Sequence, residues 1–177
     1  MRRHRLSLAL SLILPLAVPA LADTGLPGGA TTLQETYDSW TVSCRMADAG
    51  GGKTVKQCAL SQTQIDKSSG KHLLEVDVAP NGPGAAATLV LPFGLDLGQG
   101  VALQLDAAAP SAPVPFATCL PVGCIARAAL DDKALAAYRA GSTLRLKARA
   151  EGGNGIDFTV GLKGFSAAFD RVAALLK

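Results

Sequence analysis

Four cysteines constrain the fold of this chain more than any other feature of its sequence. They form two closely spaced pairs, because Cys44 and Cys58 flank a glycine-rich segment and Cys119 and Cys124 flank the short run L-P-V-G. A pair at such spacing can be a reactive dithiol, half of a metal site or a disulfide that clips two strands together. The choice among these three kinds of cysteine pair decides most of what the sequence indicates about function.

The N-terminus predicts export of the protein. A basic start, M-R-R-H-R, precedes a short apolar run that ends in Ala20-Leu21-Ala22, which is the three-part pattern of a secretory signal peptide over residues 1–22. The run is too short to span a membrane, and Pro15 and Pro19 interrupt it. No cysteine follows the expected cleavage site, so a lipoprotein anchor is not predicted. We therefore expect a periplasmic or secreted protein with no transmembrane segment after cleavage.

The charge of the exported part excludes a nucleic-acid partner. The chain has 17 Lys and Arg against 14 Asp and Glu, but three of the arginines lie in the leader, so the remainder is formally neutral. The nearest basic cluster is Arg145, Lys147 and Arg149. Because these residues alternate with apolar ones, the cluster is typical of the solvent face of a strand.

Alternating apolar residues predict a chain made mainly of short strands. Residues 23–35 are rich in Gly and small side chains and are expected to be a flexible N-terminus, so that a single domain covers 36–177. Roughly eight strands, joined by Gly- and Pro-rich turns, fit this region. The residues predicted to face the core are Trp40, Val42 and Cys44; Cys58, Leu60 and Gln62; Leu74, Val76 and Val78; and Val101, Leu103 and Leu105.

Two helices complete the predicted fold. One covers about 131–140, with Asp131 as the N-terminal cap and Gly141 at its end. The other is at the C-terminus, where Phe165, Phe169, Val172 and Leu176 form one apolar stripe. The fold class predicted is mainly β: a single-domain antiparallel β-sandwich or barrel-like fold with these two helices.

The sequence offers no residues for catalysis, cofactor binding or a metal. His72, the one histidine after the leader, follows a turn, where a solvated position is expected. The segment Gly50–Thr54, G-G-G-K-T, lacks the earlier glycine of a phosphate loop, because Ala47 stands there. Asp131 and Asp132 are explained by helix capping. We therefore expect no enzyme activity and no cofactor.

The spacing of the cysteines favours disulfides over the other chemistries. Three pairings are open; a zinc site would use C-x-x-C knuckles, and a thioredoxin-like pair would be C-x-x-C at a helix start. The flanking strands instead predict two clipped hairpins, with the pairs Cys44–Cys58 and Cys119–Cys124. A redox role for Cys119 and Cys124 is kept as the alternative.

The ordered motifs of the chain resemble one known family. They are W-T-V-S-C from Trp40 to Cys44, C-A-L-S-Q, L-V-L-P-F-G-L-D-L-G-Q-G-V-A-L-Q-L-D, P-F-A-T-C-L-P-V-G-C-I-A, L-D-D-K-A-L-A-A-Y-R-A-G and V-G-L-K-G-F-S-A-A-F-D. This set is similar to the invasion-associated locus B (IalB) family of exported bacterial proteins. The resemblance implies a periplasmic or envelope protein without known catalytic residues, and the family name implies that some members act in entry into host cells.

These observations predict a non-enzymatic envelope protein that binds an unidentified protein, either in the envelope or on a host surface. The first alternative is a periplasmic thiol-redox-responsive factor that uses Cys119 and Cys124. A weaker alternative is a carbohydrate-binding module, which the low aromatic content of 5% disfavours, because sugar faces usually stack on exposed aromatic rings.

Overall fold

A computed structural model describes residues 25–177, and the expected signal peptide at 1–22 lies outside this part of the chain. Ten strands and two α-helices are present in it. The strands are β1 Thr32–Tyr37, β2 Trp40–Asp48, β3 Thr54–Ile65, β4 His72–Asn81, β5 Gly84–Leu91, β6 Ala102–Leu105, β7 Phe116–Leu120, β8 Gly123–Leu130, β9 Thr143–Arg149 and β10 Gly155–Gly161. The helices are α1 Asp132–Ala140 and α2 Phe165–Leu175.

The strands form two antiparallel sheets. The larger sheet has seven strands in the order β1-β2-β3-β4-β5-β8-β7, and the smaller has three in the order β10-β9-β6. The outermost strands of the larger sheet, β1 and β7, do not pair with each other, so the fold is a sandwich and not a closed barrel. This confirms the predicted mainly β class and decides between its two architectures.

The core lies between the two sheets and the two helices. The inward residues predicted from alternation are buried, with Leu105 partly so: Trp40, Val42, Cys44, Cys58, Leu60, Gln62, Leu74, Val76, Val78, Val101 and Leu103. Trp40, Leu103 and Phe165 come from the larger sheet, the smaller sheet and α2, and they meet around a residual cavity of only about 10 Å³. The layers are therefore closely packed.

Three side-chain hydrogen bonds tie the smaller sheet to the larger one. The Nε1 of Trp40 and the Nε2 of Gln62 both donate to the carbonyl oxygen of Gly161, at 3.0 and 2.9 Å. The Nε2 of Gln64 donates to the carbonyl of Thr159 at 2.6 Å. These two carbonyls belong to β10, an edge strand of the smaller sheet, so donors from β2 and β3 satisfy groups that β10 leaves unpaired.

Helix α2 covers the end of the core next to Trp40. The ring of Phe165 meets that of Trp40 edge-on, with the ring centroids 5.1 Å apart, and Phe169 follows at 6.1 Å from Phe165. The predicted stripe is wrong at its last position, because Leu176 is 37% exposed whereas Leu175 is 5% exposed. The helix ends at Leu175, so Leu176 is its C-cap and no longer continues the buried face.

Regular structure begins earlier than residue 36. Strand β1 starts at Thr32, and Leu26 is fully buried in the core. A bidentate ion pair holds β1 to α2, because Nε and Nη2 of Arg171 each lie 2.7 Å from a carboxylate oxygen of Glu35. That hydrogen bonding lowers the pKa of Glu35. The sequence pattern does not reveal this contact, because residues 23–35 are rich in glycine and small side chains, which is typical of a flexible segment.

We expect Trp40→Phe and Gln62→Leu to be coupled in their effects on stability. Each variant should lower the free energy of unfolding by at least about 1 kcal/mol, because each removes a donor from the half-buried Gly161 carbonyl. The double variant should lose more than the sum, because the carbonyl then keeps neither donor. Urea unfolding followed by far-UV circular dichroism measures this without relying on the single tryptophan. Gln57→Leu, at an exposed position of β3, is the control, and strict additivity would contradict the shared role of Gly161.

Candidate binding surface

The first disulfide is part of the core. Cys44 of β2 and Cys58 of β3 lie directly opposite each other in the strand register and are bonded, with their Cα atoms 4.1 Å apart. Cys44 is 4% exposed and Cys58 is 7% exposed. This bridge therefore joins two neighbouring strands from the buried side of the sheet.

The second disulfide closes a hairpin at one end of the molecule. Cys119 of β7 is bonded to Cys124 of β8, its direct partner in the register, with a Cα–Cα distance of 3.9 Å. Cys124 is buried, at 2% exposure, whereas Cys119 is half-buried. The two bonds are the pairs named from the sequence, and they account for all four cysteines.

Large apolar side chains are exposed around this hairpin. Val122, in the β7–β8 turn, is 62% exposed, and Leu120 is 48% exposed. Phe93, in the segment that follows β5, is 61% exposed. We call these three residues the tip patch.

Backbone packing explains why the members of the tip patch come from two segments of the chain. Leu91, the last residue of β5, pairs with Cys124 of β8. Phe93 follows two residues later, so the loop after β5 starts beside the β7–β8 turn that the disulfide closes. Gly123 permits the approach, because a Cβ there would lie 2.5 Å from the carbonyl oxygen of Leu91 and its φ is +143°. Any other residue would push the turn away from β5.

The titratable groups of β4 do not form a catalytic set. His72 begins this interior strand and is half-buried, not solvated as expected, with Nε2 3.4 Å from Oε2 of Glu75. The contact is close enough for an ion pair, but neither ring nitrogen of His72 forms a hydrogen bond within the described part of the chain. Burial, and then the charge of Glu75, raise the pKa of Asp77 to about 6. No serine or cysteine nucleophile is hydrogen-bonded to His72 in residues 25–177.

The basic residues of β9 have partners within the fold. The Nζ of Lys147 lies 2.8 Å from Oδ2 of Asp157, and Nη1 of Arg149 donates to the carbonyl of Gly153 at 2.9 Å. A shallow groove of about 360 Å³ runs beside them. Because each cation is engaged locally, the arrangement is that of an ordinary solvent-facing strand.

The remaining motifs have structural roles. The segment Gly50–Thr54 connects β2 to β3 and contacts no helix N-terminus, and Asp131 caps α1 by accepting from the amide of Ala134 at 2.7 Å. The single tryptophan, Trp40, is 1% exposed and is not available to a sugar. Within residues 25–177 there is no cluster of three or more His, Cys, Asp or Glu suited to a metal ion. The same stretch contains no helix long and apolar enough to cross a membrane.

Sequence reasoning missed the tip patch because exposure cannot be read from this segment. In L-V-L-P-F-G, Phe93 follows a buried strand and looks like one more core residue. Pro92 and Gly94 were the available signal, since both favour a turn that carries the residue between them out of the sheet.

The fold and the bridges define a class: a two-sheet antiparallel β protein in which each disulfide links directly opposed residues of neighbouring strands. A family model described as invasion associated locus B (IalB) protein matches residues 40–173. The chain belongs to the IalB family.

Individual relatives agree with this assignment. The chain is 39% identical over 155 residues to an invasion protein B homolog of Brucella abortus (strain 2308), covering 86% of each protein. It is 31% identical over 156 residues to invasion protein B of Bartonella bacilliformis, covering 86% of this chain and 81% of that protein. The crystal structure of invasion associated protein B from Bartonella henselae superposes with a TM-score of 0.71 at 30% identity, covering 81% of this chain and 96% of that one.

We expect the two disulfides to contribute unequally to stability. In the loop-entropy account, the longer loop closed by Cys44–Cys58 contributes about 3 kcal/mol and the shorter Cys119–Cys124 loop about 2 kcal/mol. Replacing each pair by alanines should therefore lower the melting temperature in that order, by roughly 2–4 °C per kcal/mol. Differential scanning calorimetry without reductant measures this. An unchanged melting temperature for Cys119→Ala with Cys124→Ala would contradict a structural role for the hairpin bridge.

Proposed function

We propose that this protein is an exported, non-enzymatic binding protein of the bacterial envelope or cell surface, and that it engages a partner protein through the tip patch. The observation that carries the proposal is the exposure of Phe93 and Val122, 61% and 62%, on a turn that a disulfide holds in place. Clustered large apolar side chains on a protein surface mark interaction sites.

The rigidity of the tip supports binding. The Cys119–Cys124 bond and the tight contact of Gly123 with β5 fix both segments that carry the patch. A surface that is already ordered loses little conformational entropy when a partner docks, so a small apolar contact gives more net affinity. Aromatic side chains such as Phe93 are typical anchors of such contacts.

The relatives suggest the biological setting of this binding. The proteins of Brucella and Bartonella that the chain resembles are named for invasion. We infer that the partner lies on a host cell or in the envelope apparatus that contacts one. The basic, apolar leader at residues 1–22 supports export, and two disulfides suit the oxidising compartment that export provides.

Capture of a partner by the exported chain tests the proposal. Immobilised protein should retain a specific component of host-cell surface or native envelope extract. The double variant Phe93→Ser with Val122→Ser should lose at least about tenfold in affinity, because burial of both side chains is worth more than 1.4 kcal/mol. Val55→Ser is the matched control, since Val55 is also exposed, at 42%, but lies on β3 away from the tip. Equal binding by the tip variant and the control would remove the patch from the function.

Cys119 is half-buried whereas Cys44 and Cys58 are buried, so the redox alternative is better supported at the Cys119–Cys124 bond than at the Cys44–Cys58 bond. The two ideas differ in what removal of the bond does. If the bond only supports the tip, Cys119→Ala with Cys124→Ala lowers stability and leaves partner binding measurable at 10 °C. If thiol exchange is the function, the folded variant loses all activity, including the formation of mixed disulfides with its partner.

A further inference from the structure

The larger sheet has a second face, opposite the core. Successive side chains of a strand point to opposite faces, so residues that alternate with the buried ones form this outer face. Both helices and the smaller sheet contribute to the core on the inner side. Within residues 25–177 both α-helices and the smaller sheet therefore lie on the inner side, but the outer face is not fully open, because Val90 and Ile125, which pair with each other on it, are each only 6% exposed.

One row across the outer face contains two opposite charges. In the strand register, Ser61 of β3 pairs with Asp77 of β4, Asp77 with Thr88 of β5, and Thr88 with Arg127 of β8. Asp77 and Arg127 are thus placed symmetrically on the two sides of Thr88. Neighbouring strands are about 4.8 Å apart, so the backbone of each charged residue lies about 5 Å from the line of β5.

The next row is composed of small side chains. Ala79 of β4 pairs with Ala86 of β5, which pairs with Ala129 of β8. Ala86 and Ala129 are exposed and Ala79 is half-buried. A row of methyl groups lets another sheet approach closely, which a row of long side chains would prevent.

Both charges are unpaired within the described part of the chain. Neither the carboxylate of Asp77 nor the guanidinium of Arg127 forms an ion pair or a side-chain hydrogen bond there, although other carboxylates and cations of the protein are paired. Asp77 is also half-buried, and a half-buried charge without a counter-charge is unfavourable. A surface that supplied a cation opposite Asp77 and an anion opposite Arg127 would remove this cost.

We propose that a second copy of this chain is that surface, and that the outer face is the interface of a two-fold symmetric dimer. A two-fold axis parallel to β5 and above Thr88 places Asp77 of one protomer over Arg127 of its partner, and Arg127 over Asp77. An isologous interface needs such self-complementarity, in which residue i contacts j and j contacts i. The alanine row then meets its own copy, at a spacing that suits face-to-face sheets.

This inference is independent of the proposed function, because the tip patch and the charged row consist of different residues. A protein that binds a partner through the tip can be a monomer or a dimer. The two claims are therefore separated by assaying both sets of variants for both properties.

Charge reversal tests the dimer. The exported chain should sediment as a dimer at micromolar concentration, and Asp77→Arg alone or Arg127→Asp alone should be monomeric, because each places like charges together twice. The double variant Asp77→Arg with Arg127→Asp should restore the dimer, because the pair is reversed on both protomers. The controls Lys133→Asp on α1 and Glu151→Arg in the β9–β10 turn change the net charge equally at exposed positions and should remain dimeric.

Milder variants keep the test valid if a reversed charge prevents folding. Asp77→Asn and Arg127→Gln should each weaken dimerisation at least tenfold, since each dimer loses two charge pairs. Thermal unfolding of every variant shows that it is folded. A wild-type chain that is monomeric at all concentrations, a dimer that survives Asp77→Arg, or single reversals that the double variant does not rescue would each overturn the proposal. Binding of the outer face to a different protein, without self-association, would also overturn it.

The pH dependence of the dimer gives a second readout. The titratable neighbours of Asp77 are Glu75 on its own strand and, beyond it, His72, whereas the adjoining residues of β3 and β5 are neutral. The pKa of Asp77 is about 6 in the single chain, and a cation opposite it would lower that pKa in the dimer. The dimer therefore needs the ionised form and should weaken several-fold between pH 7.5 and pH 5. In Asp77→Asn this part of the pH dependence should disappear, and its persistence would contradict the role of Asp77.

Discussion

The sandwich depends on the carbonyl of Gly161, which accepts hydrogen bonds from Trp40 and Gln62. Gly161 ends the outermost strand of the smaller sheet, while both donors belong to the larger sheet. The same tryptophan meets Phe165 of α2, so one side chain of the larger sheet contacts both the edge strand β10 of the smaller sheet and the helix that covers the core. Hydrogen bonding fixes the position of the layers here, and apolar burial supplies most of the free energy.

The local features of this fold were predictable from the sequence. Alternation identified the buried residues of β2, β3 and β4, and the Asp131 cap located α1, because these signals lie within a few residues of each other. The cysteine pairs were also accessible, since each joins strands that are consecutive in the chain. Features that depend on distant contacts were not accessible. Strand β1 is held to α2 through the ion pair of Glu35 with Arg171, and the hydrogen bond of Gln62 to Gly161 joins residues 99 positions apart.

The same distinction applies to the candidate surfaces. The sequence pointed to C-L-P-V-G-C but gave no indication that Phe93 lies beside it, because that contact arises from the pairing of β5 with β8. Asp77 and Arg127 are 50 positions apart in the sequence and share a row only through the strand order β4-β5-β8. Alternation assigned neither residue to the core, but it could not show which other outward residues lie beside them.

The protein is a rigid β scaffold with two candidate binding surfaces, the tip patch and the outer face of the larger sheet. The buried bridge strengthens the sheet, the hairpin bridge fixes the tip patch, and the unpaired charges of Asp77 and Arg127 lie on the face of the larger sheet opposite the core. The central claim is that the cysteines support a binding surface and do not react.

The reduction potential of the Cys119–Cys124 bond in the folded, exported chain tests this claim most directly. Equilibration against glutathione and dithiothreitol buffers, with the two bonds distinguished by mass spectrometry of alkylated peptides, gives its value. A structural bond should have a potential below about −300 mV and remain oxidised in any glutathione buffer. A potential near about −200 mV, in the range of glutaredoxins and disulfide isomerases, would contradict the account and support thiol exchange at the tip.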